Sequence, residues 1–446
     1  MKLNYKRTFL IGLAFMSISA FWTFYDQCIP YIMKYTHGQD ELVTNSIMAI
    51  DNILALFLLP LFGALSDRTR TPWGRRTPYI VLGTVFSVVF FMLMGIGAND
   101  KDKFWLFFAM LFLMLVALGT YRSPAVSLMP DLTPRVHRSR ANAIINLMGT
   151  AGGAFSLLMS ILLIESTSSA TEGTVYAADQ NYWPLFIAVG AFMLVTVVIF
   201  FFTVPEKKIY NKMVESGELT EEDLVTDDAP KGIKGERLEK PVFRSLIFML
   251  LSVAFWYMAY NGITTSLSRY CQEVMGMGLN DSSAYVLVAL VIAAVAFLPL
   301  GILSSRFGRK KMILGGVVLM LVSFIGASFL RAGVSEIWLY LVFAAVGIGW
   351  ASINVNSYPM VVEMSKNADI GRYTGYYYTF SMAAQVFTPV LTGFLISEKY
   401  LDLGYVSLFP YAAIFMVLAF VTMLFVKHGD VIPEKKSLLE HFDSAD

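Results

Sequence analysis

The sequence predicts an all-α polytopic membrane protein, with twelve transmembrane helices in two six-helix pseudo-repeats. Three observations carry that expectation. Of 446 residues, 56% are hydrophobic and only 15% charged, with mean hydropathy +0.61. Soluble domains keep about a quarter of their residues charged. Twelve apolar runs follow one another, each near the ~20 residues that a helix needs to cross hydrocarbon. A basic loop recurs after about half the chain, with matching residues on either side of it.

The runs cover approximately 8–33, 44–66, 78–97, 104–130, 143–164, 183–204, 243–268, 281–304, 310–329, 335–362, 372–397 and 405–427. The first follows MKLNYKR directly and reaches Met33. That is too long for the apolar core of a cleaved signal, so it reads as a retained span. Lys and Arg concentrate in cytoplasmic loops. The even-numbered loops and both termini hold 27 of the 34, which places both termini in the cytoplasm. Odd-numbered loops hold Lys34, Lys101, Lys103, Arg269, Arg331 and Lys399, and Arg122 alone falls inside a run away from its ends.

Residues 205–241 form the one long polar stretch, with EKK, EEDL and TDDAPKGIKGE. It reads as a solvated cytoplasmic linker between a first bundle, 1–204, and a second, 242–446 with a short tail. The repeat ties the two together. Gly63-x-x-Ser66 returns as Gly301-x-x-Ser304, each preceding a basic turn. Ala20-Phe21-Trp22 returns as Ala254-Phe255-Trp256, which sets Gln27 opposite Asn261. Asp131 and Arg140 match Glu363 and Arg372. Tandem six-helix halves about an axis along the membrane normal are a transporter plan, with the ligand near the midplane.

Several function classes drop out. Net charge +1 gives no case for nucleic-acid binding. Cys28 and Cys271 read as free thiols, and with four scattered histidines they form neither a disulfide framework nor a metal cluster. GxxxxGK[ST], HExxH and GxSxG do not occur, so neither ATP drive nor an enzyme is expected. No cofactor or metal is expected; the expected partners are a small solute, a coupling ion and the bilayer, with the chain a monomer.

Gly63-x-x-x-Asp67-Arg68 with Gly74-Arg75-Arg76 resembles the signature loop of the major facilitator superfamily. The longer form SDRTRTPWGRRTPYI is similar to the glycoside–pentoside–hexuronide cation symporters and to the sucrose/proton carriers. Pro130-Asp131-Leu132-Thr133 with Arg138-Ser-Arg140-Ala141-Asn142-Ala143, and Phe21-Trp22-x-x-x-Asp26-Gln27-x-x-Pro30-Tyr31, point to the sucrose-carrier side. The resemblance implies proton-coupled symport of a small sugar, a disaccharide or glucoside, in the cell membrane. Sodium coupling, a non-sugar substrate and a non-transporting sensor are the alternatives. Two departures bear on coupling. The paired helix-2 carboxylates of melibiose-type symporters are replaced by Ala55 and Leu59, and the fourth run lacks the Asp of plant sucrose carriers.

A charge within hydrocarbon costs kilocalories, so intramembrane charges mark candidate sites. Asp26, Asp51 and Arg122 qualify. Each Asp lies seven residues, about 10 Å, below the outer end of its run at 1.5 Å per residue, and Arg122 lies ~13 Å above the inner end of its own. We expect an Asp–Arg cluster that loads a proton on one side and releases it on the other, with Asp26 favoured as carrier because helix 1 lines the cavity in this family. A fixed ion pair is the structural alternative. Sugar binding calls for aromatic faces and amides or hydroxyls. Trp22, Asp26, Gln27 and Arg122 offer these in the first half, with Asn146 a weaker candidate on a face rich in small residues. Trp256, Tyr257, Tyr260, Asn261, Trp350, Asn354, Tyr378 and Gln385 offer them in the second, on stripes of helical spacing turned from lipid. For gating, the resemblance points to Asp67, Arg75, Arg76, Asp131 and Arg140, with Glu363 and Arg372 as counterparts.

Overall fold

The structure is a computed structural model that describes residues 4–134, 138–164, 180–217, 239–364 and 370–430. Among them, twelve helices are long and apolar enough to cross a membrane. They are α1 (Tyr5–Tyr35), the pair α2 (Glu41–Met48) and α3 (Ile50–Arg68), α4 (Thr77–Ala98), α5 (Phe104–Asp131), α6 (Arg138–Leu163), α7 (Trp183–Thr203), α9 (Lys240–Tyr270), α10 (Leu279–Phe307), α11 (Arg309–Ala327), α12 (Ile337–Glu363), α13 (Ile370–Ile396) and α14 (Leu408–Leu424). A short helix, α8 (Glu206–Glu215), follows α7.

Local chemistry sets the ends. The Asn4 side chain accepts the Arg7 N–H and caps α1, and the Asp40 side chain accepts the Leu42 N–H and caps α2. Pro78 and Pro184 sit in the first turns of α4 and α7, where the missing N–H costs nothing. The helix of the second span is interrupted at Ala49, between α2 and α3. The expected run at 44–66 therefore starts earlier, at Glu41, because an acid and its N-cap lie within the folded span. The stretch read as a solvated linker begins as α8, with Glu206 and Met213 buried and its lysines exposed.

The chain divides into two compact units. One comprises the described residues of Met1–Ile233 with Thr264–Leu287 and Pro389–Tyr405; the other comprises those of Lys234–Ile263, Val288–Thr388 and Val406–Asp446. The units thus differ from the sequence halves: one end each of α9, α10 and α13 packs with the first six spans. Phe24, Phe91 and Phe186 centre the first unit's core, with ring centroids 4.6–5.0 Å apart. Helix α6 closes on α1 at Gly152, where any Cβ would collide with the Met16 carbonyl. In the second unit, α11 and α12 approach through Gly316 and Gly349 in the same way.

Candidate functional site

The first unit gathers the three intramembrane charges. Asp26 lies on α1, Asp51 in the first turn of α3 and Arg122 in mid-α5, all half-buried. The Asp51 charge acts on Asp26, and the Arg122 charge acts on Asp51. The Arg122 guanidinium lies over the Trp22 indole, 5.2 Å from the ring centroid, a cation–π arrangement. Asn52 Nδ2 donates to Asp51 Oδ1 at 2.7 Å. Among the described residues no ion pair within 4 Å joins Arg122 to either acid, so the cluster is coupled without being a closed pair. On either side of Asp26, Trp22 Nε1 and Gln27 Oε1 are buried with no hydrogen-bond partner among the described residues. Buried polar atoms are rarely left so. The Gln27 amide nitrogen is already committed: Nε2 donates to the Thr264 carbonyl at 3.1 Å, and Ser268 Oγ donates to the Gln27 backbone carbonyl at 3.0 Å. Asn146, on α6, is exposed.

A fourth and fifth charge escaped the sequence reading. Arg269, counted there as a loop residue, lies in the last turn of α9 and is fully buried. Its guanidinium donates to Glu41 Oε2 at 2.5 Å and to Asn45 Oδ1 at 2.8 Å. Glu41 also accepts from the Tyr405 hydroxyl and pairs with Lys34 at 2.9 Å. Asn45 donates to Thr392 Oγ1 at 3.3 Å. These contacts latch α1 and α2 to the ends of α9 and α13 at the end of the unit opposite the basic loop.

At the basic end, Arg76 pairs with Asp67 and, at 2.9 Å, with Asp131; Arg75 pairs with Asp131 at 2.6 Å. Arg76 also donates to Ser66 Oγ and to the Gly63 carbonyl. Sequence reasoning missed the acid beneath them. Glu206 is buried and accepts the N–H groups of Arg75, Arg76 and Thr77 at 2.8–3.1 Å, and the Thr77 hydroxyl at 2.7 Å. These donors open α4, where an anion satisfies both orphan N–H groups and the helix dipole. Gly74, at φ +124°, leaves the carboxylate the space a Cβ would occupy.

The second unit repeats the device in reduced form. Asp430 accepts the Arg309 N–H at 2.7 Å at the start of α11, beside Gly308 at φ +90°. Arg309 pairs with Glu363 at 3.4 Å. The side chains of Arg140 and Arg372 lie outside the described residues.

The aromatic candidates of the second unit converge on α9 and α12. Tyr260 stacks on Trp350 with centroids 3.8 Å apart and planes 5° from parallel. Tyr257 meets the same indole edge-on at 5.3 Å. Asn354 Nδ2 donates to the Trp350 carbonyl at 3.0 Å, and Asn261 is half-buried on α9. Trp256 is fully buried and faces the unit's interior. On α13, Gln385 Nε2 donates to the Ser381 carbonyl at 3.2 Å, and Tyr378 is exposed with its ring 5.6 Å from that of Tyr377.

A family model described as Major Facilitator Superfamily matches residues 7–351 and 282–442. The chain is similar to the lactose permease of Lactobacillus helveticus, 19% identical over 63% of this chain and 43% of that protein. It is similar to the raffinose carrier protein of Pediococcus pentosaceus, 25% identical over 69% of this chain and 46% of that protein. It thus spans less than half the length of these curated relatives. In fold it is similar to the crystal structure of a peptide transporter in complex with sulfate, with TM-score 0.68 and 15% identity over 95% of both chains.

Proposed function

Because this chain belongs to the Major Facilitator Superfamily, we propose that it is a secondary active transporter coupling the entry of a small sugar, a disaccharide or glucoside, to a proton by alternating access. It lies in the cell membrane with both termini in the cytoplasm, the orientation that the Lys and Arg distribution favours. The observation that carries the reading is the Asp26–Asp51–Arg122 cluster: three half-buried charges at membrane depth, coupled yet not locked in an ion pair. A locked pair would have nothing to exchange. Asp26, whose charged neighbour is the Asp51 carboxylate with Arg122 acting on that carboxylate in turn, changes its proton affinity when Asp51 moves or is neutralised, and sugar hydroxyls on the orphaned Trp22 Nε1 and Gln27 Oε1 would place solute beside it. Within the second unit, taken by itself, the Tyr260–Trp350 stack offers a flat apolar surface of the kind on which a pyranose ring packs. The names of the sugar-carrying relatives support the substrate class.

The test is uptake into proteoliposomes under an imposed pH gradient across a panel of di- and monosaccharides. Asp26→Asn should lose gradient-driven accumulation and keep sugar exchange at equal pH. Accumulation at the wild-type level in Asp26→Asn would reject Asp26 as the proton carrier, and wild-type accumulation driven by sodium alone would reject proton coupling.

A further inference from the structure

A cavity of about 270 Å³ opens at the basic end of the first unit, bounded by the first turns of α1, the end of α7 and α8. Lys6, Arg7 and Lys212 line it, and none of its nine lining residues is acidic. Its wall is apolar, from Leu10, Ile209 and Met213. The place is as telling as the charge. Helix α8 starts three residues after α7 ends, so it lies where an apolar span gives way to water. It buries Met213 and exposes Lys207, Lys208 and Lys212, the arrangement of a helix lying in the interface plane. Cations above an apolar wall at that depth match a phosphodiester with its glycerol and upper acyl carbons; a free anion would leave the wall unused.

We propose that this cavity binds the phosphate headgroup of an anionic membrane phospholipid, held by Lys6 and Lys212. The bound headgroup draws α8 and α1 together. Because Glu206 opens α8 and braces the basic loop, the lipid supports that brace.

The experiment measures phosphatidylglycerol binding to the purified full chain by native mass spectrometry, and its thermal stability in phosphatidylcholine discs with and without phosphatidylglycerol. A cation held against the bound headgroup contributes about five-fold to anionic lipid binding, and the attraction falls off within a Debye length. Lys6→Gln/Lys212→Gln should therefore weaken phosphatidylglycerol binding by roughly 25-fold and abolish its stabilising effect. Lys207→Gln/Lys208→Gln, the same charge change outside the cavity, should weaken binding by no more than about three-fold. Equal losses in the two double variants would reduce the effect to general surface charge and overturn the site. Protection by inorganic phosphate equal to that by phosphatidylglycerol would overturn the lipid assignment. Unaltered melting of Lys6→Gln/Lys212→Gln in phosphatidylcholine alone shows that the variant is folded; a lower melting temperature there would assign the two lysines a structural role instead.

Discussion

Removing the Glu206 carboxylate should unfasten the basic loop. In Glu206→Gln one oxygen remains, and the new amide directs N–H groups at donors the other oxygen once received. At least one buried donor then lacks an acceptor, which costs about 1–3 kcal/mol. Loss of the negative charge at the start of α4 adds roughly 0.3–1 kcal/mol. The total is about 2–4 kcal/mol, and Glu206→Ala, which strands all three N–H groups, should cost more. For a chain of this length each kcal/mol shifts the melting temperature by about 1–2 °C, so Glu206→Gln should melt roughly 3–6 °C lower in detergent. Asp430→Asn is the internal comparison: one N–H at 2.7 Å depends on it, so its shift should be about a third as large. Gly74→Ala, whose Cβ would displace the carboxylate, should resemble Glu206→Gln and add little to it. Melting of Glu206→Ala within about 1 °C of wild type, or a shift for Asp430→Asn as large as for Glu206→Ala, would refute the brace.

The latch should behave as a buried pair. Arg269→Gln leaves Glu41 short of its main counter-charge at about 3–5 kcal/mol, whereas Glu41→Gln/Arg269→Gln should recover part of that loss in a thermal double-mutant cycle; strict additivity would show the contact is idle. Trp350→Ala should weaken sugar binding by at least ten-fold in a binding titration, while Trp350→Phe, which keeps a ring for Tyr260 to stack on, should retain most of it. Equal affinities in the two would remove Trp350 from the site. Arg122→Ala should impair pH-driven uptake more than Arg122→Lys, and wild-type uptake in both would make the cluster structural.

The twelve spans were legible because a lone segment in hydrocarbon must satisfy its own backbone hydrogen bonds, which a long apolar helix does and which leaves a run of ~20 apolar residues in the sequence. Asp26, Asp51 and Arg122 stood out by the same physics, as charges in runs that exclude them. Glu41 and Arg269 were misplaced for the converse reason. A hydropathy reading ends a span at the first charge, yet two opposite charges that satisfy one another can lie inside the fold. Periodicity put Tyr257 and Asn261 on one stripe, but one and two turns further along the same helix the structure uses the Thr264 carbonyl and the Ser268 hydroxyl to hold Gln27. Spacing along one helix does not say which neighbour arrives. Glu206 was the least visible: nothing in a polar stretch shows that one of its acids will meet a loop 129 to 131 residues earlier. The repeat carried more than the signature loop. Gly74 and Gly308 stand 234 positions apart, the same offset as Trp22 and Trp256, each with an acid against the following residue's N–H.

The interruption at Ala49 divides the second span into a short arm and a long one. The short arm, α2, carries Glu41 and Asn45; the long arm begins two residues before Asn52 and bears Asp51 near the pivot. Eight residues make a lever of about 12 Å, so a tilt of ~10° swings its tip by ~2 Å and barely shifts the fulcrum. Two ångströms exceed what the 2.5 Å contact from Arg269 can stretch to and survive. Geometry therefore lets the far end part first, while the carboxylate at the pivot keeps its place.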